Sequence, residues 1–213
     1  MMIASQEAAR RTTEAMEHLV KTVLHPSPYQ KHEIMRDLEF ESEAEFNDQC
    51  LTANTRHVRE FRLRDRALHV FQEAQNVLRF QELCHFHSSV ENGGGKSDAE
   101  AAELSSGLAS QLGVWMNSSH ESCRLQYECS CEDLDQLVGS CRRSKASHLG
   151  DLCYGSRLTG AGWGGCCVSL VKKEGVAEFV DFIQREYYIP RGLDPSNAII
   201  VSAPSGGAAV FQM

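Results

Sequence analysis

The glycine-rich stretch at residues 155–167, GSRLTGAGWGGCC, contains the residue types that most directly suggest chemistry. Five of its thirteen positions are glycine. Because glycine has no Cβ, the backbone of such a stretch can pass close to another group and can adopt positive φ at several positions. Phosphate groups are the usual ligands of such loops, since their oxygens accept hydrogen bonds from backbone amides. The stretch therefore raises the hypothesis of a loop beside a phosphate site.

The spacing of the glycines restricts the kind of site. Gly160, Gly162 and Gly165 satisfy the dinucleotide-binding pattern G-x-G-x-x-G, but in that fold the glycines open a helix, whereas here CCVSLV follows with the pattern of a strand. A phosphate-loop NTPase is also excluded, because no Gly-Lys-Ser/Thr follows. Two interpretations remain at this point: a strand–loop–strand element that supports a phosphate, and a wide hairpin bend with no ligand.

The nine cysteines are odd in number and scattered, in a chain long enough to bury a core without disulfides. We expect most of them to be reduced, buried and small apolar residues. Their spacings match neither the paired C-x-x-C units of a zinc ribbon nor a zinc finger. We therefore predict no metal site, even for the one cluster, Cys123, Cys129, Cys131 and Cys141.

The bulk composition excludes several classes of partner. The chain has 29 acidic and 21 basic residues, a formal net charge of −8, which argues against binding to a nucleic-acid backbone. No apolar run approaches the roughly 20 residues that cross a bilayer, and charges interrupt the amino end before a signal-peptide core could form. We predict a cytoplasmic protein with no nucleic-acid or membrane partner.

The first two-thirds of the sequence has helical patterns. A first helix must end at the prolines of HPSPY (25–29), because proline cannot continue the backbone ladder. Residues 31–50 predict one or two short helices. A long helix then follows, for which Asn54 or Thr55 is the candidate cap and which ends near Cys84.

Residues 88–110 change character, with three consecutive glycines followed by small and acidic residues. This composition predicts a flexible surface insertion. A further helix is expected over about 111–123. Ser130 and Asp133 have the spacing of a capping box, which predicts another helix at about 131–145.

The last third has the alternation of strands, with one helical stretch between the second and third of them. The overall prediction is an α+β fold, helix-rich at first and then a four-stranded antiparallel sheet with helices on one face. We predict an N-terminal helix and linker at 1–30 and one domain at 31–213, into which the flexible residues 88–110 are inserted. The four predicted strands are SRLTG, GCCVSLV, AIIVSAP and GAAVFQM.

Two long blocks resemble a known family. SRLTGAGWGGC and VWMNSSHESCRLQYECSCEDLDQLV (Val114 to Val138) are similar to the C-terminal half of galactokinases and N-acetylgalactosamine kinases, in the GHMP kinase superfamily. HPSPY, the RLRDRALHVFQEAQNVL helix and the tail AIIVSAPSGGAAVFQM are also similar to that family. The resemblance covers about residues 17–213.

The resemblance implies ATP-dependent phosphoryl transfer to the anomeric hydroxyl of galactose or N-acetylgalactosamine, with Mg²⁺ on the nucleotide phosphates. In the family, the sugar motif Gly-Glu-His-x-Asp, a catalytic aspartate and a serine-rich phosphate loop lie in an N-terminal lobe. None of these is present in the 213 residues. We therefore assign no catalytic residue, expect the chain alone to be inactive and expect an N-terminal lobe as its partner. A non-catalytic half-kinase that serves as a regulatory or interaction module is the alternative.

Residues are carried over from the family only where its motifs match. The family's glycine loop implies a cofactor-binding role, beneath the phosphate-binding loop, for Gly160, Ala161, Gly162, Trp163, Gly164 and Gly165. A bulky side chain at Gly162 or Gly164 is expected to push the loop backbone away from its neighbour. Arg157 and Thr159 belong to the same matched block, and strand pairing or surface charge explains them as well as ligand contact does. His120, Cys123 and Arg124 match the other block, and we expect them to be helix-packing residues.

Overall fold

The computed structural model describes residues 2–91 and 97–203, which contain seven α-helices and six short strands. The helices are α1 (Met2–Val23), α2 (Lys31–Asp37), α3 (Glu43–Cys50), α4 (Leu63–Glu91), α5 (Asp98–Ser122), α6 (Glu132–Arg142) and α7 (Val176–Ile183). The strands are β1 (Tyr29–Gln30), β2 (Glu60–Phe61), β3 (Lys145–Ala146), β4 (Gly150–Asp151), β5 (Cys153–Thr159) and β6 (Cys166–Val171). They form three two-stranded antiparallel pairs, β1–β2, β3–β4 and β5–β6.

The N-terminal helices follow the predicted pattern. Helix α1 ends at Val23, before the two prolines, and residues 31–50 hold two short helices. The Ser42 side chain caps α3 by accepting a hydrogen bond from the Glu45 backbone nitrogen at 3.2 Å. Helix α1 packs along α4, where the amide of Gln75 donates to the Glu17 carboxylate at 2.9 Å. The predicted domain division at residue 30 stays a prediction.

Two helices begin at residues other than those predicted. Helix α4 begins at Leu63 and not at the predicted cap, Asn54 or Thr55. The hydroxyl of Thr55 accepts from the Thr52 nitrogen at 3.0 Å, so it closes a turn instead of capping a helix. Helix α5 begins at Asp98 rather than near 111. Within residues 88–110, predicted as a flexible insertion, 88–91 and 98–110 are helical.

A capping box explains the early start of α5. The hydroxyl of Ser97 accepts from the Glu100 nitrogen at 3.3 Å, while the Glu100 carboxylate accepts from the Ser97 nitrogen at 2.9 Å. The capping box predicted for α6 is wrong: the N-cap is Cys131, without a side-chain hydrogen bond, and the Ser130 hydroxyl donates to Asp135 Oδ1 at 2.6 Å.

The hairpin β5–β6 confirms the first predicted strand pair. Its register places Thr159 opposite Cys166 and Ser156 opposite Ser169. Helix α7 then occupies the predicted helical stretch.

The second predicted strand pair is not present in the described residues. Residues 198–203 lie in no strand, and Ile200 is 91% exposed, because a β-branched run forms a strand only where a partner accepts its backbone hydrogen bonds. GAAVFQM, at 207–213, lies outside the described residues. The described fold is α+β with small two-stranded sheets instead of one four-stranded sheet.

Helix α5 and strand β5 cross at two glycines. A Cβ on Gly113 would lie 2.0 Å from the carbonyl oxygen of Tyr154, and one on Gly155 would lie 2.3 Å from the carbonyl oxygen of Gly113. Real Cβ atoms do not come this close to other atoms, so only glycine lets the two backbones touch. This contact places the hairpin beneath the C-terminal half of α5. Among the helices of the described ranges, none is both long and apolar enough to span a membrane.

Candidate functional site: the glycine loop

The glycine loop, residues 160–165, joins β5 to β6. Five of its six residues have positive φ: 84° at Gly160, 85° at Gly162, 54° at Trp163, 136° at Gly164 and 96° at Gly165. Side chains other than glycine rarely adopt such angles, and a bulky residue in the left-handed region indicates local strain. The loop backbone therefore has a defined, unusual path that depends on its glycines.

At Gly162 the loop backbone lies close against the turn that contains Cys129. A Cβ there would lie 2.1 Å from the carbonyl oxygen of Cys129. At Gly164 no atom would lie within 4 Å of such a Cβ. The expected clash is therefore confirmed for Gly162 and is wrong for Gly164, where a side chain would be unfavourable only because φ is positive.

Trp163 fixes the loop to the turn at residues 128–129, a contact that the sequence analysis did not predict. Its backbone nitrogen donates to the carbonyl oxygen of Cys129 at 2.6 Å. Its indole nitrogen donates to the carbonyl oxygen of Glu128 at 3.1 Å. The side chain is nevertheless 65% exposed, so one edge of the indole is held while much of the ring faces solvent.

The turn that receives Trp163 is itself unusual. After α5, residues Cys123–Tyr127 form a turn of π-helix, and Glu128 then adopts the left-handed conformation with φ 57°. The backbone nitrogen of Cys129 donates to the carbonyl oxygen of Cys123 at 3.0 Å, which closes the turn. Wide helical turns of this kind often occur at functional sites.

Charged and aromatic side chains surround this turn. The carboxylate of Glu128 accepts a hydrogen bond from the guanidinium of Arg66, which lowers the pKa of Glu128. The ring of Tyr127 is stacked on that of His69, with centroids 4.7 Å apart, and lies 6.5 Å from the ring of Trp163.

His120 is a packing residue, as expected. It is 2% exposed, its Nδ1 accepts from the Leu158 backbone nitrogen at 3.2 Å, and its Nε2 lies 3.3 Å from Asp135 Oδ1. Burial lowers the pKa of His120, and this effect outweighs the opposing attraction of the Asp135 carboxylate. The imidazole therefore connects α5, β5 and α6.

The other matched residues contact neighbouring parts of the chain or face solvent. Cys123 is buried in a core cluster, as expected. Arg124 is exposed and pairs with Glu121 at 2.8 Å, so the expectation of helix packing is wrong for it. Arg157 lies 3.5 Å from a carboxylate oxygen of Glu73, and Thr159 is exposed at the start of the loop.

The loop offers open backbone for phosphate but no metal ligands. A Cβ on Gly160, Gly164 or Gly165 would meet no atom within 4 Å, so a phosphate or another chain segment can approach these positions closely. Mg²⁺ prefers carboxylate oxygens. Across the described part of the chain, no three His, Cys, Asp or Glu side chains are grouped so as to hold a metal ion.

Comparisons with known proteins agree with this description. A family model described as GHMP kinases C terminal matches residues 101–189. The galactokinase of Dictyostelium discoideum is 36% identical over 169 residues, which are 76% of this chain and 32% of that protein. The galactokinase of Saccharomyces cerevisiae is 33% identical over 180 residues, 81% of this chain and 30% of that protein.

The chain thus spans about a third of the length of these curated relatives. A crystal structure of Lactococcus lactis galactokinase complexed with galactose is 20% identical, covers 89% of this chain and 38% of its own, and has a TM-score of 0.37, which is too low to support a structural argument. Residues 101–189 are a GHMP kinase C-terminal domain, and the chain is similar to galactokinases over about three quarters of its length.

Proposed function

We propose that the chain is the C-terminal part of an ATP-dependent sugar 1-kinase, which transfers a phosphoryl group from ATP to the anomeric hydroxyl of galactose or N-acetylgalactosamine. The observation that carries the proposal is the contact at Gly162, where a Cβ would lie 2.1 Å from the carbonyl oxygen of Cys129. This contact holds the loop backbone at one position, and a loop that supports a phosphate site requires such positioning.

In this proposal the glycine loop positions the phosphate site and contributes no side chain to the transfer of the phosphoryl group. Phosphoryl transfer depends on in-line positioning and on stabilising the charge of the transferring group, so a shift of the supporting backbone by about 1 Å lowers the rate. Trp163 and Gly162 hold the loop on the turn at 128–129. The open glycines at 160, 164 and 165 leave room for ATP phosphates or for the loop that binds them.

ATP would supply the phosphoryl group, and Mg²⁺ would neutralise its charge. The described residues contain no metal-ligand group, so we propose that ligands outside this chain's described part hold the Mg²⁺. We propose likewise that the sugar site and the catalytic carboxylate come from an N-terminal lobe, that the chain alone is inactive and that the protein is cytoplasmic.

A chimera tests this proposal. The matching segment of the Dictyostelium discoideum galactokinase would be replaced by this chain, and ADP formation would be measured with galactose and with N-acetylgalactosamine. We expect a sugar-dependent rate from the chimera and no rate from the chain alone. Turnover by the chain alone, or a folded chimera that phosphorylates neither sugar, would contradict the proposal.

A non-catalytic interaction module is the second candidate, and the exposed surface beside the glycine loop favours it. Trp163 and Tyr127 are exposed there as large aromatic side chains, with ring centroids 6.5 Å apart. Exposed apolar patches of this kind often mark protein interfaces. If this candidate is correct, the folded chain binds another protein through this surface, and the chimera shows no kinase activity.

A further inference from the structure

The turn that holds Trp163 is itself held by Arg66, a residue of α4. The Arg66 guanidinium donates one hydrogen bond to the carbonyl oxygen of Gln126 and another to the carboxylate of Glu128. Its central carbon also lies 5.9 Å from the centre of the Tyr127 ring, within the range of a cation–π contact. One side chain therefore binds the residues on both sides of Tyr127.

The shape of the guanidinium explains how Arg66 binds two acceptors at once. The group is planar and presents its N–H donors in fixed directions, whereas a lysine ammonium is a compact charge on a flexible stem. In Arg66 one terminal nitrogen binds a backbone oxygen and the other binds a side-chain oxygen. The backbone nitrogen of Arg66 donates to the carbonyl oxygen of Arg62 at 3.1 Å, so the side chain extends from a hydrogen-bonded helical turn.

Glu128 is the residue of the turn that most needs support. Its φ of 57° lies in the left-handed region, which is costly for a residue other than glycine and persists only where the surrounding structure fixes it. Arg66 binds the Gln126 carbonyl on one side of the bend and the Glu128 carboxylate on the other. The guanidinium also lowers the pKa of Glu128, so the carboxylate is ionised and the ion pair is complete at neutral pH.

The bend at Glu128 supplies both oxygens that hold Trp163. The Glu128 carbonyl oxygen accepts from the indole nitrogen at 3.1 Å, and the Cys129 carbonyl oxygen accepts from the Trp163 backbone nitrogen at 2.6 Å. These two carbonyls belong to consecutive residues, so a change of the Glu128 backbone would move both of them. Hydrogen bonds thus connect α4 to the glycine loop through Arg66, Glu128 and Trp163.

We propose that Arg66 is a positioning residue for the glycine loop: it holds Glu128 in the left-handed conformation, and the carbonyls of Glu128 and Cys129 then hold Trp163. The consequence for phosphoryl transfer rests on the proposed function, because the loop is the part that we place beneath the phosphate site. The consequence for the Trp163 ring does not rest on it and is measurable on the 213-residue chain alone.

A second contact from α4 does not replace Arg66. The His69 ring stacks on the Tyr127 ring with centroids 4.7 Å apart, and His69 Nδ1 lies 2.9 Å from the Ser122 hydroxyl oxygen. Both contacts are made before Glu128 in the chain, so they leave its carboxylate to Arg66. The side chains of Arg66 and Glu128 are 36% and 44% exposed, and ion pairs as exposed as this contribute little to stability. We therefore expect the loss of Arg66 to change the position of the loop more than the stability of the fold.

The first test uses Trp163 as its own probe. The chain has two tryptophans, so Trp115→Phe leaves Trp163 as the only indole. The decay of its fluorescence anisotropy then measures how far the ring rotates independently of the whole chain. We expect little independent rotation while Arg66 is present and a clear fast component in Arg66→Gln. Arg66→Lys should lie between the two, because it keeps the charge and loses the paired donors.

Arg64→Gln is the matched control for this test. Arg64 also belongs to α4, but it donates to the carbonyl oxygen of Leu24 at 3.3 Å, away from the turn. Its loss should leave the anisotropy decay unchanged, and circular dichroism would check that each variant is folded. If Arg66→Gln does not fold, Arg66→Lys and Glu128→Gln serve in its place. An anisotropy decay that is unchanged in the folded variants, or is changed equally by Arg64→Gln, would overturn the proposal.

Rates distinguish positioning from a structural role. In the chimera with Dictyostelium discoideum galactokinase, Arg66→Gln should lower kcat per folded molecule by up to roughly 100-fold. The KM for galactose should stay nearly unchanged, because we place the sugar site in the N-terminal lobe. An active parent chimera that keeps its full kcat in Arg66→Gln would overturn the positioning role. A parent chimera without activity would instead contradict the proposed function, and the anisotropy decay would still decide whether Arg66 holds the loop.

Discussion

The backbone nitrogen of Trp163 lies 2.6 Å from the carbonyl oxygen of Cys129, although the two residues are far apart in sequence. The same oxygen is the atom that a side chain at Gly162 would strike. One carbonyl therefore both holds the glycine loop at Trp163 and excludes a side chain at Gly162. The loop depends on the turn after α5 as much as on its own glycines.

The indole hydrogen bond is expected to contribute to stability. Trp163→Phe keeps an aromatic ring but removes the donor to the Glu128 carbonyl oxygen. We expect a loss of about 1 kcal/mol in the free energy of unfolding, because the contact is partly exposed. Urea unfolding would measure it. Trp163→Ala should lose more than Trp163→Phe, and equal stability of all three proteins would show that the contact contributes nothing.

The crossing of α5 and β5 predicts a severe effect at Gly113. Gly113→Ala would place a methyl group 2.0 Å from the Tyr154 carbonyl oxygen, so helix and strand must separate. We expect a loss of about 3 kcal/mol in the free energy of unfolding, at the upper end of the range for overpacked sites.

Gly107→Ala is the matched control for this prediction, because Gly107 lies in the same helix and an added Cβ there meets nothing within 4 Å. Alanine favours helix more than glycine does, so Gly107→Ala should leave stability unchanged or raise it by up to about 1 kcal/mol. Thermal or urea unfolding of both variants would measure the difference. Similar losses in the two variants would contradict the close crossing.

The buried imidazole of His120 predicts a pH dependence. Its pKa in the folded chain is lowered from 6.5 by burial, so the unfolded chain binds the proton more readily. The stabilising effect is therefore complete above pH 6.5 and is lost as the pH falls below 6.5 towards the folded pKa. Burial lowers the pKa of His69 as well, so both residues contribute in the same direction.

Variants separate the two histidines. His120→Asn keeps an acceptor near the Leu158 nitrogen and has no proton to gain, so its unfolding free energy should fall less steeply below pH 6.5. Urea unfolding at pH 7.5, 6.5 and 5.5 would measure the slopes, with His69→Asn as the parallel case. An unchanged slope in His120→Asn would contradict the prediction that a lowered pKa of His120 makes stability depend on pH.

Local patterns predicted much of the fold. The hairpin β5–β6 follows from alternating residues on both sides of the glycines, and the end of α1 follows from two prolines. The start of α5 was missed because the low apolar content of 98–110 outweighed the capping box of Ser97 and Glu100. The three-residue spacing of Ser97 and Glu100, which is typical of a capping box, was visible in the sequence.

The contact between Trp163 and the turn at 128–129 could not be predicted in this way. It depends on where α5 ends and on the left-handed conformation of Glu128, a residue type that seldom adopts it. The missing strand at 198–203 has a similar cause, because strand formation depends on a partner elsewhere in the chain. Sequence patterns thus located the glycine loop, while tertiary contacts determine what holds it.

The positioning role of Gly162 is tested by the effect of Gly162→Ala on galactose-dependent ADP formation by the chimera with Dictyostelium discoideum galactokinase. We expect a fall of roughly 100-fold in a chimera that stays folded, the effect of displacing a positioning group by about 1 Å. Gly107→Ala should keep the full rate. A folded Gly162→Ala chimera with the full rate would contradict the claim that this contact positions the phosphate site.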